Sequence, residues 1–305
     1  MKILLAEYAM GTGMEGTFLL EGKNMLKTLV SSFSRIGHEV IYLTSGPLLS
    51  EGTAVISTEK NFRDIIEKEA KKSDAGLVIA PDEILAELTQ IIEDYTLNLG
   101  STPEAIALCA DKVKCTEKLL SYNIAAPRII ENMNNTKCVV KPRFGCASED
   151  TYLTTDGEIP SGSIATEFIN GEHLSVSLIG GKKTLPLCVN RQFIEFIDMK
   201  DLSKLRIEYN GNKVCFSPPY KEELFRTATE AVRILGCRGY TGVDIVYNEI
   251  PYIVDVNPRP TTSIYGICKV MNEEIADLLL KNRCGELPEF VTINGQYSFT
   301  KEDFK

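Results

Sequence analysis

Asp255 and Asn257 stand two residues apart in the run Asp255-Val-Asn257-Pro-Arg259-Pro, which closes an apolar segment, Pro251 to Val256, with the texture of a strand. Side chains alternate faces along a strand, so this carboxylate and this amide share one face. Upstream, Thr241-Gly-Val-Asp244-Ile-Val-Tyr247 reads as a second strand, joined to the first by the short turn Asn248-Glu249-Ile250-Pro251. In such a hairpin Asp244 and Asp255 lie near each other on adjacent strands. Two carboxylates and an amide oxygen suit Mg²⁺, a hard ion that takes few protein oxygens and completes its octahedron with water and phosphate, and Mn²⁺ is served by the same donors. Arg259 then adds a permanent positive charge two residues beyond Asn257.

A second candidate is Gly11-Thr-Gly13-Met-Glu-Gly16, a G-x-G-x-x-G spacing directly after one strand and before a helix. Backbone N–H groups at such a helix start can hold an anion. A dinucleotide site also needs an acid at the end of the second strand, and Thr44-Ser45 stands there instead. The stretch is therefore read as a loop cradling some other anionic group, with a tight unliganded turn and a nicotinamide-dependent oxidoreductase as the alternatives. No P-loop signature occurs. With two histidines, His38 and His173, a multi-histidine metal centre cannot be built, and neither sits in a recognisable nucleophile setting. None of the nine cysteines forms a C-x-x-C pair, which disfavours a zinc knuckle and leaves reduced, mostly buried thiols. Asn190-Arg191-Gln192 is a weaker candidate for a substrate clamp, a structural ion pair being the equal alternative for Arg191.

The elements that must position these groups change character along the chain. Lys2 to Glu7, Glu39 to Thr44 and Ala75 to Ala80 read as strands, separated by helical stretches at Leu19 to Ile36 and Asn61 to Lys72, and a further helix runs from Asp82 to about Asp94. Alternation of this kind implies βαβ units and an open parallel sheet with loops at the carboxyl ends of its strands. Ser101 or Thr102 can cap a helix with Pro103 in its first turn, and a helical segment is expected from Pro103 to Tyr122. Strands then follow at Cys138 to Lys141, Ile164 to Ile169, Leu174 to Ile179, Leu185 to Phe193, Thr241 to Tyr247 and Pro251 to Val256, with one helix, Tyr220 to Leu235, between them. The fold class is thus α/β followed by antiparallel α+β. The expected divisions are 1–100 as an N-terminal α/β domain on the substrate side, 101–136 as linker and helical segment, 137–171 as a small subdomain and 172–305 as a large one carrying the metal site.

At 305 residues, with 44% hydrophobic and 25% charged side chains, the chain has an ordinary globular composition and room for two or three domains. Its formal charge of −9 opposes non-specific binding to nucleic acid and to anionic membrane, so small molecules are the expected partners. The start at Met1-Lys2 leads into a strand too short for a secretory or membrane segment, and a cytoplasmic location is expected.

From about Ser101 to Leu280 these motifs, taken in order, resemble those of the ATP-grasp ligases. The resemblance implies an ATP-grasp fold preceded by a pre-ATP-grasp domain, with ATP and Mg²⁺ as cofactors. It assigns Lys112, in Ala110-Asp111-Lys112, and Lys141, in Val139-Val140-Lys141-Pro142, to the ATP phosphates. Phe144 to Asp150 corresponds to a mobile loop over those phosphates, although it carries one glycine where the family is glycine-rich. Glu167, Phe168 and Ile169 match the hinge whose backbone reads adenine, and Glu172 the acid that binds ribose. Asp244, Asp255 and Asn257 fall on the metal ligands, and Arg259, with Lys141, on the groups facing the transferred phosphate. The family often has glutamate where Asp255 stands, which makes bridging two metal ions less certain.

The Glu7-Tyr-Ala-Met-Gly-Thr-Gly13 start and the Asp255 to Ser263 ending are similar to a branch of the family that joins the γ-carboxylate of L-glutamate to the amine of tyramine in methanofuran biosynthesis. That implies an acyl phosphate formed from ATP, followed by displacement of phosphate by the amine, with ADP released. A ligase for a different amino acid and amine is the alternative. The oligomeric state, a homo-oligomer included, is left open by the sequence.

Overall fold

The computed structural model describes residues 1–133, 135–145, 150–155, 157–199 and 204–304. The chain opens with β1 (Lys2–Glu7), α1 (Tyr8–Thr12), α2 (Gly16–Arg35), β2 (Glu39–Thr44), β3 (Thr53–Ile56), α3 (Phe62–Ala70), β4 (Ala75–Ile79), α4 (Asp82–Tyr95) and β5 (Leu97–Asn98). These strands form one parallel sheet in the order β3-β2-β1-β4-β5. β1 is buried from Ile3 to Glu7, as a central parallel strand covered on both faces must be. Its carboxyl end, with that of β4, delivers Glu7 and Asp82 to the same edge.

Two helices follow, α5 (Pro103–Ala110) and α6 (Lys112–Ser121). Pro103 sits in the first turn of α5 and the Thr102 hydroxyl accepts from Ala105 N, as a helix start of that composition should. The single helical segment expected from Pro103 to Tyr122 is broken at Asp111, whose extended backbone ends α5 and whose side chain caps α6.

The remainder comprises β6 (Ile129–Ile130), β7 (Cys138–Pro142), β8 (Tyr152–Thr154), β9 (Ser163–Glu167), β10 (Glu172–Gly180), β11 (Leu185–Asp198), β12 (Leu205–Phe216), α7 (Lys221–Leu235), β13 (Gly239–Asn248), β14 (Ile250–Asn257), α8 (Ser263–Val270), α9 (Ile275–Cys284) and β15 (Tyr297–Thr300), closed by a 3₁₀ turn at Lys301–Phe304. The strands pair antiparallel in the order β14-β13-β10-β11-β12-β8-β7-β9-β6, with β15 added beside β12. The parallel α/β start followed by an antiparallel α+β remainder agrees with the sequence reading. β6 joins this sheet by pairing with β9, inside the stretch read as linker.

Helix α2 holds the two parts together. Leu26, Leu29 and Phe33 share one buried cluster with Ile3 and Leu5 of β1, and also with Ile264 and Ile267 of α8 and Leu278 and Leu279 of α9. At its end Arg35 grips Glu274 through two hydrogen bonds of 2.7 and 2.9 Å, and Ser32 Oγ donates to the same carboxylate at 2.7 Å. A second core packs Leu224, Ala228 and Val232 of α7 against Leu174, Val176 and Val243. Among the described residues no helix is long and apolar enough to cross a membrane.

The reading of Gly11 to Gly16 as an anion-holding loop is corrected. Gly11 lies inside α1, and Glu7 caps that helix, its carboxylate accepting from Ala9 N at 3.2 Å and Met10 N at 2.7 Å. Within the motif Gly13 N and Met14 N both donate to Ala9 O, at 3.0 and 3.2 Å, and α2 begins after Glu15 with no side-chain cap. Gly11 is there for space: a Cβ would stand 2.1 Å from Phe62 Cε2, a ring buried under the sheet. Gly11→Ala should therefore destabilise the fold by about 1–3 kcal/mol through overpacking. Gly46→Ala, where a Cβ meets nothing within 4 Å, should stay within about 0.5 kcal/mol of the parent. Urea unfolding midpoints compare the two; equal midpoints would refute the packing argument.

Candidate active site

The β13–β14 hairpin sets Asp244 directly opposite Asp255 and Gly242 opposite Asn257. Asn257 Nδ2 donates to Asp244 Oδ2 at 3.2 Å, and Gln192, reaching over from β11, donates to Asp244 Oδ1 at 2.9 Å. Burial, and after it the facing charge of Asp255, pushes the Asp244 carboxyl up to about 7, against the pull of Gln192, Lys141 and Arg259. Two part-buried carboxylates set face to face leave Asp244 with less positive charge nearby than would hold it ionised. The set fits Mg²⁺: hard oxygens, too few to fill an octahedron, placed where phosphate and water oxygens can complete it. Among the described residues no group of three or more His, Cys, Asp or Glu side chains is placed to hold a metal ion.

Three cations surround that pair. Lys141 leaves β7 and donates to Val254 O on β14 at 2.7 Å; burial lowers its pKa, with Asp255 opposing. Lys112, the first residue of α6, is 8% exposed and donates to Gly145 O at 2.6 Å. It is positioned by Asp111, which receives two hydrogen bonds from Arg143 at 2.8 and 2.7 Å, while Lys112 N donates to Arg143 O at 3.1 Å. The third cation, Arg259, stands 3.4 Å from Asp82, both side chains about a tenth exposed at 12% and 10%. Its charge also counters the burial that pushes the Glu7 carboxyl up to about 7.

These groups line one cavity of about 300 Å³ between the two sheets. Lys112, Lys141, Asp244, Asp255, Asn257 and Arg259 all contribute to its wall, and so do Glu167, Phe168 and Ile169 at one end. Glu172 is not brought there. Alternation along β10 turns it to the opposite face from His173, which does line the cavity, and its carboxylate is taken by Arg191 Nε at 2.6 Å and by the Tyr220 hydroxyl. Its expected role at a ribose therefore has no geometric support. Arg191 is consequently a structural partner rather than a clamp, Asn190 is buried between Ser175 and Ser177, and Gln192 is the member of that triplet that faces the cavity. Of the closing segment expected at Phe144 to Asp150, residues 146–149 lie outside the described residues.

The opposite end of the cavity holds residues that sequence reasoning passed over: Glu21 of α2, Tyr209 of β12 and Lys301 of the last turn. A signal existed for Glu21, an acid one turn from Phe18 and from Met25 on a face otherwise apolar. Glu7 and Asp82 also stood at the carboxyl ends of parallel strands, where open α/β sheets bind ligands.

Residues 109–263 match the ATP-grasp domain family, and residues 44–106 match the pre ATP-grasp 3 domain. The chain is 33% identical to the tyramine–L-glutamate ligase of Methanocaldococcus fervens over 98% of its own length and 100% of that relative. It is 32% identical to the protein of the same name from Methanocaldococcus jannaschii, over 98% of this chain and 94% of that one. An ATP-grasp superfamily protein from Archaeoglobus fulgidus superposes with a TM-score of 0.79 at 30% identity, covering 98% of both chains.

The raised carboxyl of Asp244 has a consequence for stability in the absence of ligands. In the unfolded chain it loses its proton near pH 4, in the folded chain near 7. Between those values the folded state binds more protons, so stability falls as pH rises, with a slope of at most about 1.4 kcal/mol per pH unit from this group, and levels off above 7. Thermal melts of Asp244→Asn between pH 4 and 8 should show a flatter decline than the parent; parallel curves would show that the group is not held protonated.

Proposed function

The chain belongs to the ATP-grasp family and is an ATP-dependent carboxylate–amine ligase, and we propose that it joins the γ-carboxylate of L-glutamate to the amine of tyramine. The observation that carries this reading is similarity to two ligases of that name along nearly the whole chain, the substrate-side α/β domain included. The cavity is consistent with it, since cations and acids alternate along one channel from the hinge at Phe168 to the pocket beside α2.

A carboxylate is a poor acyl donor. In the proposed reaction its oxygen attacks the γ-phosphorus of ATP, the bond to the β-phosphate breaks, and an acyl phosphate and ADP result. The tyramine nitrogen then attacks the acyl carbon, phosphate leaves, and the amine's proton is lost to solvent or to a nearby base. Catalysis of this kind is positioning and charge neutralisation. Lys112 and Lys141 hold phosphate oxygens, each exchanging the backbone carbonyl it now contacts. Arg259 faces the transferring phosphoryl group, oriented by Asp82. Asp244, Asp255 and Asn257 hold Mg²⁺, which neutralises phosphate charge when bound. The backbone of Glu167 to Ile169 takes adenine. Because an acyl phosphate hydrolyses in water, the two-sheet enclosure that buries Asp244 and Lys141 also protects the intermediate.

Incubation with ATP, Mg²⁺, L-glutamate and tyramine should yield ADP, phosphate and γ-glutamyltyramine, read by chromatography and mass spectrometry. AMP and pyrophosphate as products would overturn the mechanism, and no turnover with this pair would overturn the substrates. Asp255→Ala should lower ATP turnover by at least about 100-fold while leaving the circular dichroism spectrum unchanged, because the residue borders a cavity rather than a packed core. Turnover close to the parent's would remove Asp255 from the metal site.

A further inference from the structure

Glu21 Oε1, the Tyr209 hydroxyl and Asn212 Oδ1 are buried without hydrogen-bond partners, and all three residues line the cavity at the end away from Phe168. Buried polar atoms are almost always satisfied, so three orphans at one end of one cavity call for a ligand. Each has its orientation constrained. Asn212 Nδ2 donates to Ser263 Oγ at 2.7 Å, which leaves Oδ1 as an acceptor. The Tyr209 hydroxyl makes no hydrogen bond of good geometry; Thr262 is near enough to counter slightly the rise in its pKa that burial imposes. Glu21 lies one turn from Phe18 and Met25, which line the same wall. Burial raises the pKa of Glu21, and Lys301 and Arg259 counter that rise.

The last turn of the chain supplies the opposite charge. Lys301 Nζ stands 3.6 Å from Glu21 Oε1, beyond hydrogen-bond reach, and 5.7 Å from the centroid of the Tyr209 ring. Its backbone is fixed by β15 pairing with β12, by Asp303 accepting from Thr300 N at 2.7 Å, and by Phe304 seated against Tyr265 and Phe299. A loose ion pair, three unfilled acceptors and a cation on a fixed turn form a pocket with both signs of charge.

From this arrangement we propose that Glu21, Tyr209, Asn212 and Lys301 form the recognition site for the zwitterionic head of the α-amino acid that donates its side-chain carboxylate. The proposal rests on the ligase reading above and names the groups that choose its acid substrate. A primary ammonium has three N–H bonds, matching in number the three orphan oxygens. As it takes Glu21, it frees Lys301 to receive the α-carboxylate, so the internal ion pair is exchanged for two pairs with the substrate. A phenol would leave both charges without a match. The arrangement also accounts for regiochemistry: with the α-carboxylate held by Lys301 at one end, the γ-carboxylate is the one presented towards Arg259.

The experiment compares kcat/KM for L-glutamate, glutarate (no ammonium) and 4-aminobutyrate (no α-carboxylate) at saturating ATP, Mg²⁺ and tyramine, with calorimetric binding of L-glutamate in the presence of ADP and Mg²⁺. Lys301→Met should lower kcat/KM for L-glutamate about 10- to 100-fold and leave 4-aminobutyrate unchanged, and Lys301→Arg should restore most of the loss. Glu21→Gln should lower L-glutamate and 4-aminobutyrate by a similar factor and leave glutarate unchanged. The KM for ATP should move in none of them, which separates recognition from a general structural loss. Equal losses for all three donors, or an altered KM for tyramine with glutamate unaffected, would overturn the proposal while the ligase reading stands. If the wild type makes no product from glutamate and tyramine yet binds L-glutamate in a Glu21- and Lys301-dependent way, the substrate pair is wrong and the recognition site survives. Absence of such binding would overturn the recognition site itself.

Discussion

Two carboxylates face each other on adjacent strands, and most of the surrounding chemistry answers that repulsion. In water each would keep its full hydration; here both are part-buried and stand directly opposite each other, and burial, then the facing charge of Asp255, pushes the Asp244 carboxyl up. Gln192 and Asn257 hydrogen-bond Asp244, Lys141 and Arg259 bring charge, and the deficit that remains is what the proposed Mg²⁺ would fill. A sequence selected for stability alone would place apolar residues at such positions. Retaining acids there marks the hairpin as the place where stability yields to function.

The cations are held in a comparable way. Lys112 and Lys141 each donate to a main-chain carbonyl, Gly145 O and Val254 O. In the proposed reaction a nucleotide phosphate would meet ammonium groups already held in place, so ordering them would cost little. The net gain is the difference between a charged acceptor and a neutral one, because a hydrogen bond is exchanged rather than created.

The hairpin was legible because alternation is a local fact, and it put Asp244 and Asp255 near each other on adjacent strands; the four-residue turn expected there is a single residue, Glu249, and a register shift beside Asp244 sets the final pairing. The strands at β1, β2 and β4 were legible for the same reason, as continuous apolar runs. β12 was missed because its centre reads Tyr209-Asn-Gly-Asn212, a composition typical of turns. Gly211 is required there by a neighbour remote in sequence, a Cβ falling 2.2 Å from Phe299 O of β15. Missing β12 meant missing Tyr209 and Asn212. The Gly11 to Gly16 spacing misled in the opposite direction, since a motif cannot reveal that its first two glycines close a short helix of their own, α1, and leave only Gly16 at the start of the next. Lys301 carried no local signal at all: its position follows from β15 pairing, which closes a loop from one end of the domain to the other.

Helix α2 sits in one core shared by both parts of the chain, its Leu26, Leu29 and Phe33 in a single cluster with side chains of β1, α8 and α9, and Glu274 fastens its end. Elements that share a core lose their support together. The chain is thus modular in topology but not in cooperativity: a fragment ending near residue 100 would keep all five strands of its sheet and still bare the apolar stripe that α8 and α9 cover. Recombination between relatives would have to carry α2 and its C-terminal partners as a set, so the inherited unit is the pair of domains with their seam, and the end of the cavity lined by Glu21, Tyr209 and Lys301 lies along that seam.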